Sequence, residues 1–195
     1  MTVAVVILAG GEGRRIGGHK PQRMLGGRSL IDRAVDFARA LSPLVAISVR
    51  DPDQLAGRDI PRVLDLPGIG GPLAGLGAAL GFAFEHDAEA LLTLPCDAPF
   101  LPGDLLARLT HAMTADRLAS VPLSDGQIHP ASALWRAEAG NRLPSYLETG
   151  RAALSGFVSH VGFIAVEWPA EPFDPFFNIN SEDDLSLAQK LVDSN

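Results

Sequence analysis

The sequence predicts an α/β fold on a mostly parallel central sheet. Three observations lead there. Short, continuous apolar runs such as VAVVILA (Val3–Ala9) suit strands covered on both faces, as parallel sheets require. Stretches with helical apolar spacing separate those runs, so strand and helix alternate through the first half. Right-handed crossovers between parallel strands then place helices on both faces of the sheet.

The elements follow in order. Val3–Ala9 is the first strand, and the glycine-rich stretch 10–18 is a loop. SLIDRAVDFARAL starts at Ser29 with Asp32 three residues on, a capping-box-like opening. Leu30, Ala34, Phe37, Ala38 and Leu41 then form its apolar stripe. Leu44–Val49 is a second strand and Arg62–Leu64 a weaker one. Gly71–His86 is helical from Pro72, a residue suited to a first turn. Ala90–Leu94 is a strong strand, LPGDLLARLTHAM a helix and LASVPL a strand. GQIHPASALW alternates weakly around Pro130, as a strand pair or bent strand would. RAEAGNRLPSYLETG is helical in parts, with Pro144 interrupting it. VGFIAVEW is a strand, and SEDDLSLAQKLV a closing helix capped by Ser181, with Asp184 three residues later. No linker, repeat or low-complexity tract divides the 195 residues, so a single domain spanning 1–195 is expected.

Composition narrows the function. A net charge of −7 argues against nucleic-acid or membrane-surface partners. Residues 10–33 run the other way, with Arg14, Arg15, Lys20, Arg23, Arg28 and Arg33 against Glu12 and Asp32. That stretch is net +4 and the remainder −11, a basic patch suited to a small anion. The one cysteine, Cys96, allows no intrachain disulfide. No apolar run approaches the ~18 residues of a membrane span, and the first apolar run ends in glycines instead of a cleavage site. A cytoplasmic location is expected.

ILAGGEGRRIGGHK (Ile7–Lys20) carries five glycines beside Arg14, Arg15 and Lys20. In doubly wound sheets ligands bind beyond the carboxyl ends of strands, where this loop emerges. Glycines let backbone N–H groups turn toward an oxyanion, and the cations add charge. The dinucleotide fingerprint fails because Gly11 and Gly13 are followed by Ile16, and the Walker loop fails because His19, Lys20 and Pro21 follow Gly18. In LLTLPCDAPFLP, Asp97 follows a buried strand onto the same rim, where a hard carboxylate suits Mg²⁺. It suits a turn or N-cap equally well.

LAGGEGRRIGG…K, GPLAGLGAAL, LPCDAPFLP, HPASALW and DPFFNINSEDDL occur in this order across nearly the whole chain. Together they resemble the molybdenum cofactor guanylyltransferase family, nucleotidyltransferases with a three-layer Rossmann-like fold. The resemblance implies transfer of GMP from Mg-GTP to the phosphate of molybdopterin, forming the guanine dinucleotide cofactor and pyrophosphate. It implies GTP and molybdopterin as substrates, Mg²⁺ as cofactor, and molybdoenzyme apoproteins or chaperones as recipients. Carried over by position, Leu8, Ala9, Gly10, Gly11 and Gly13 would hold the nucleotide. Lys20 would contact its phosphates with Arg15 assisting, Asp65 would lie near the nucleoside, and Asp97 would hold magnesium. Asn178 and Asn180 would face the molybdopterin.

The chain departs from the family in three places. His19-Lys20 stands for Asp-Lys, Val49-Arg50 for Asn-Arg, and GRAALSGFV keeps Arg151 alone among the usual basic residues. Two rivals follow: a cytidylyltransferase or other nucleotidyltransferase, and a non-catalytic cofactor carrier. Gly10 in LAGG, where cytidylyl relatives read LAAG, favours GTP. Cys96 reads as a small buried residue and His86, His111 and His160 as surface residues; His129, in IHPASALW, is a candidate to approach the cofactor.

Overall fold

The computed structural model describes residues 1–10 and 20–194. Strands β1 (Val3–Leu8), β4 (Val45–Val49), β5 (Arg62–Leu64), β6 (Ala90–Pro95), β7 (Ala119–Ser124), β9 (Leu134–Arg136) and β10 (Phe163–Glu167) form the main sheet. Their spatial order is β10-β7-β9-β6-β1-β4-β5. Every pairing along it is parallel except those of β9, which runs antiparallel to both β6 and β7. The expected α/β architecture with a mostly parallel sheet is therefore present.

β9 is reversed because the chain doubles back after β7. Asp125 (φ 46°) and Gly126 (φ 70°) make a tight hairpin turn into β8 (Gln127–Ile128). A 3₁₀ turn at Pro130–Ser132 then offsets the register before β9 resumes. This is the bent strand that Pro130 announces: its ring cannot donate a ladder hydrogen bond, so pairing breaks there.

Alternation along β1 sends Ala4 and Val6 to one face, Val5 and Ile7 to the other. The first face is covered by α2 (Pro72–Glu85), α4 (Leu143–Leu147) and α5 (Leu154–Val161), the second by α1 (Leu30–Leu41) and α3 (Leu105–Ala112). These are the three expected layers. At the centre of the first face the buried Trp135 ring stacks on Phe157 at 5.8 Å and donates its Nε1–H to Thr93 Oγ1 at 3.1 Å. A buried aromatic with its polar atom satisfied contributes its full apolar area without a desolvation cost.

Several elements differ from the sequence expectations. The buried face of α1 is Leu30, Ile31, Val35 and Ala38, which shares Leu30 and Ala38 with the expected stripe but is turned toward Ile31 and Val35, leaving Phe37 and Leu41 only partly covered. Pro144 opens α4 in its first turn and does not interrupt a helix, because the preceding residues are already a 3₁₀ turn. Helix α5 was not anticipated. Its buried Leu154, Phe157, Val158 and Val161 follow i, i+3, i+4, i+7 spacing, the signal that finds it. Also unanticipated is the hairpin β2 (Met24–Leu25) and β3 (Arg28–Ser29). Gly26 and Gly27 at its tip both have positive φ (56° and 77°), as a two-residue hairpin turn demands.

The closing helix α6 (Glu182–Asp193) packs on this hairpin, not on the main sheet. Ala188 joins Leu25, Leu30 and Ile179 in a separate small core, and Gln189 Oε1 accepts the Gly26 N–H at 2.9 Å. Its start is the expected capping box: Ser181 Oγ accepts from Asp184 N, and Asp184 Oδ2 accepts from Ser181 N at 2.8 Å. No described helix is long and apolar enough to cross a membrane.

Candidate active site

A cavity of about 260 Å³ opens at the carboxyl ends of β1, β4, β5 and β6. Chain order reverses there. β4 lies beside β1 on one side and β6 on the other, the topological switch where open α/β sheets take ligands. Leu8, Gly10, Lys20, Asp65, Asp97, Asn178 and Asn180, separated by up to 172 positions in sequence, all line it. Ala9 does not. It is buried in the core of the second face; its N–H donates to Ser48 O at 3.0 Å and its carbonyl accepts from Gln54 Nε2 at 2.8 Å. Gly11, Gly13 and Arg15 lie outside the described residues, as does His19.

Lys20 follows the glycine-rich segment in a short 3₁₀ turn that puts its chain across the mouth of β6. Its Nζ donates to Asp97 Oδ2 and, at 2.8 Å, to Asn180 Oδ1. The Lys20 and Asp97 side chains are 12% and 17% exposed, so their attraction is less screened than that of a surface pair. Asp97 enters as an acidic residue just beyond the fully buried β6. Its carbonyl accepts the Ile179 N–H at 2.9 Å, which fastens the segment bearing Asn178 and Asn180 beside it. Asp184 secures the far end by accepting the Asn180 N–H at 2.8 Å. Burial works to raise the pKa of Asp184, but hydrogen bonds from Asn180 and Ser181 outweigh it and hold the carboxyl below its usual range.

Asp65 occupies the opposite wall. It follows β5, accepts a hydrogen bond from the buried Ser48 hydroxyl, and donates its backbone N–H to Val49 O at 2.8 Å. Two glycines make room for it. A Cβ on Gly10 would strike Asp65 Oδ2; one on Gly75 would stand 2.7 Å from Ser48 Oγ and 3.2 Å from Asp65 Oδ1.

Sequence reasoning missed Ser48, Arg50, Gly71, Pro72, Gly75 and Ala131, which together with Pro95 and Cys96 complete the lining. The GIGGPLAG run was the available signal for three of them. Helix α2 starts at Pro72 with no side-chain hydrogen bond to its N-terminus, so the positive end of its dipole faces the cavity uncapped. Gln54 is also new. It ties the Ala9 carbonyl to the Arg50 N–H (3.0 Å to Oε1) and so braces β1 against β4 where the glycine loop departs.

Cys96 is buried between these walls, and burial first, then the neighbouring Asp97 charge, pushes its thiol pKa well up. A thiol that stays protonated is no nucleophile. His86, His111 and His160 are exposed, as expected. Val49, the residue that replaces an asparagine of the family pattern, is fully buried in the second-face core and does not reach the cavity. His129 is half-buried outside the cavity. Burial holds its pKa below the ordinary value against an opposing pull from Asp174.

Among the described residues no three His, Cys, Asp or Glu side chains cluster to hold a metal. Asp97 and Asn180 nevertheless offer hard oxygens to one point, and a cation, the Lys20 ammonium, already stands there. Such a donor set fits Mg²⁺, which takes few protein ligands and keeps phosphate oxygens and water for the rest.

Comparison with known proteins accords with this geometry. The MobA-like NTP transferase domain family matches residues 5–161. A molybdenum cofactor guanylyltransferase from Rhodopseudomonas palustris (strain BisB5) is 38% identical over 96% of this chain and 92% of its own length. Another from Acidiphilium cryptum is 40% identical over 94% and 92%. Among solved structures, molybdopterin-guanine dinucleotide biosynthesis protein A from Archaeoglobus fulgidus superposes with a TM-score of 0.80 at 25% identity, covering 98% of this chain and 100% of that one. With a family match over most of its length and relatives of this identity and coverage, the chain belongs to the MobA-like NTP transferase family and is a nucleotidyltransferase.

Proposed function

We propose that the protein, acting as a single domain in the cytoplasm, transfers GMP from Mg-GTP to the terminal phosphate of molybdopterin. An oxygen of that phosphate attacks the α-phosphorus of GTP, the bond from the α-phosphorus to the β-bridging oxygen breaks, and pyrophosphate departs with the bonding electrons. The observation that carries the reading is the Lys20–Asp97–Asn180 cluster. It joins the return of the glycine-rich segment to the asparagine wall inside one cavity, where a nucleotide's phosphates and an anionic acceptor must meet.

The chemistry asks for alignment and charge neutralisation more than for a protein nucleophile. Lys20 donates to phosphate oxygens and stabilises charge growing on pyrophosphate, with Arg15 assisting. Leu8 and Gly10 line the nucleotide pocket, Gly11 and Gly13 would help hold the nucleotide, and Asp65, held by Ser48, faces the nucleoside. Asn178 and Asn180 offer amide donors and acceptors to the molybdopterin. Asp97 and Asn180 would hold Mg²⁺, which, when bound, neutralises phosphate charge and polarises the reacting phosphorus. The product would pass to molybdoenzyme apoproteins or their chaperones.

The test is pyrophosphate release from the purified protein with molybdopterin and Mg-GTP or Mg-CTP. Release that is faster with GTP is expected. Faster release with CTP would favour the cytidylyl reading, and tight molybdopterin binding without any release would favour a carrier.

A further inference from the structure

One polar chain lies outside the cavity and belongs to no role above. The Ser124 hydroxyl, 1% exposed at the end of β7, sits 2.7 Å from His129 Nε2 and 2.8 Å from Asp174 Oδ1. A hydroxyl has one proton, and the carboxylate can only accept. Ser124 therefore donates to Asp174, and His129 donates to Ser124 from Nε2–H. Asp174 Oδ1 also takes the Phe176 N–H at 2.9 Å, and its carbonyl takes the Phe177 N–H at 3.1 Å. The Phe176 ring, 2% exposed, lies flat on the His129 imidazole at 4.7 Å with 16° between the planes.

The two ends of this chain lead to the cavity. Two residues beyond His129, in the 3₁₀ turn, Ala131 lines it. Four and six residues beyond Asp174, Asn178 and Asn180 line it, with Ile179 between them bonded to Asp97. The asparagine wall is thus held at three points: Asp184 behind Asn180, Asp97 at Ile179, and the Ser124–His129–Asp174 chain at its root.

We infer that Ser124, His129 and Asp174 are positioning residues that fix the root of the Asn178–Asn180 wall, and through Asn178 the acceptor substrate, while Asn180, which the nucleotide side shares through Lys20, keeps its separate hold on Asp184. The inference rests on the reading that the asparagine wall takes the acceptor. None of the three touches the cavity, so each acts through the backbone it anchors.

The experiment compares Ser124→Ala, Asp174→Ala and Asp174→Asn in the full-length protein. Pyrophosphate release is measured against molybdopterin at saturating Mg-GTP, and against Mg-GTP at saturating molybdopterin. Each alanine variant removes two hydrogen bonds from the anchor, which should raise KM for molybdopterin by about fivefold or more, with kcat and KM for GTP unmoved. Asp174→Asn should restore the wild-type value, since an amide oxygen accepts from the same hydroxyl and N–H. In parallel, hydrogen exchange of the 176–180 amides should quicken in both alanine variants, while amides of β1 and β6 keep their protection. Equal rises in both KM values, an unmoved molybdopterin KM, unchanged exchange at 176–180, or an asparagine variant as impaired as the alanine one would each overturn the inference. If the wild type released no pyrophosphate, the proposed function would fall while the exchange pattern still decided whether the anchor exists.

Discussion

Replacing Lys20 by glutamine should make the nucleotide-free protein bind a divalent ion more tightly. The ammonium sits between Asp97 and Asn180, on the oxygens a metal would use, so the ion must displace it. A charge-assisted hydrogen bond contributes about 1.5–3 kcal/mol net, and this pair, with side chains 12% and 17% exposed, is covered enough for the middle of that range. At ~1.4 kcal/mol per tenfold, removing the competitor strengthens metal binding roughly 10- to 100-fold. Mn²⁺, followed by the loss of its free electron-spin resonance signal, serves as the probe, with Asp97→Asn as the variant that should abolish binding. Turnover should fall in Lys20→Gln even as metal affinity rises, because the same ammonium is assigned to the phosphates. Unchanged or weaker Mn²⁺ binding in Lys20→Gln would refute the idea that lysine holds the metal's place.

Two further outcomes are expected. Gly75→Ala, a change that favours an exposed helix by ~1 kcal/mol, should here lower Tm and weaken GTP binding, because its Cβ would stand 2.7 Å from Ser48 Oγ and break the hold on Asp65; overpacking of this kind costs about 1–3 kcal/mol, and a raised Tm with intact GTP binding would contradict it. The lowered pKa of His129 means that the unfolded chain takes up a proton before the folded one as pH drops. Stability should therefore begin to fall below the ordinary histidine value of about 6.5 and level off beneath the folded pKa. Thermal unfolding across that window should show the loss in the wild type and much less of it in His129→Gln. The depressed carboxyls of Asp32 and Asp184 act separately, their contribution disappearing only as pH falls below the unfolded carboxylate range near 4.

What was legible in the sequence was what local chemistry dictates. β1 and, but for Thr93, β6 announce themselves as continuous apolar runs because both of their faces are covered. Asp97 and Lys20 stand out because charge directly beyond such a strand, or at the end of a glycine run, needs a reason. The order β6-β9-β7 could not be read, since an antiparallel strand buried between two others has the same apolar character as a parallel one. Nor could the Ser48–Asp65 bond, for a serine inside a strand looks like any other polar interruption until β4 and β5 are seen side by side. Ala9 shows the converse. It shares a motif with Leu8 and Gly10, but strand alternation turns its side chain into the core.

The Lys20 ammonium finds its partners at positions 97 and 180, and the hairpin behind it is gripped from position 189. A growing polypeptide therefore makes Lys20 and its hairpin long before their partners, and the cluster can close only once position 180 and then α6 have left the ribosome. Until then the nascent sheet carries an unassembled pocket, so capture of the nucleotide waits for a residue made 160 positions later.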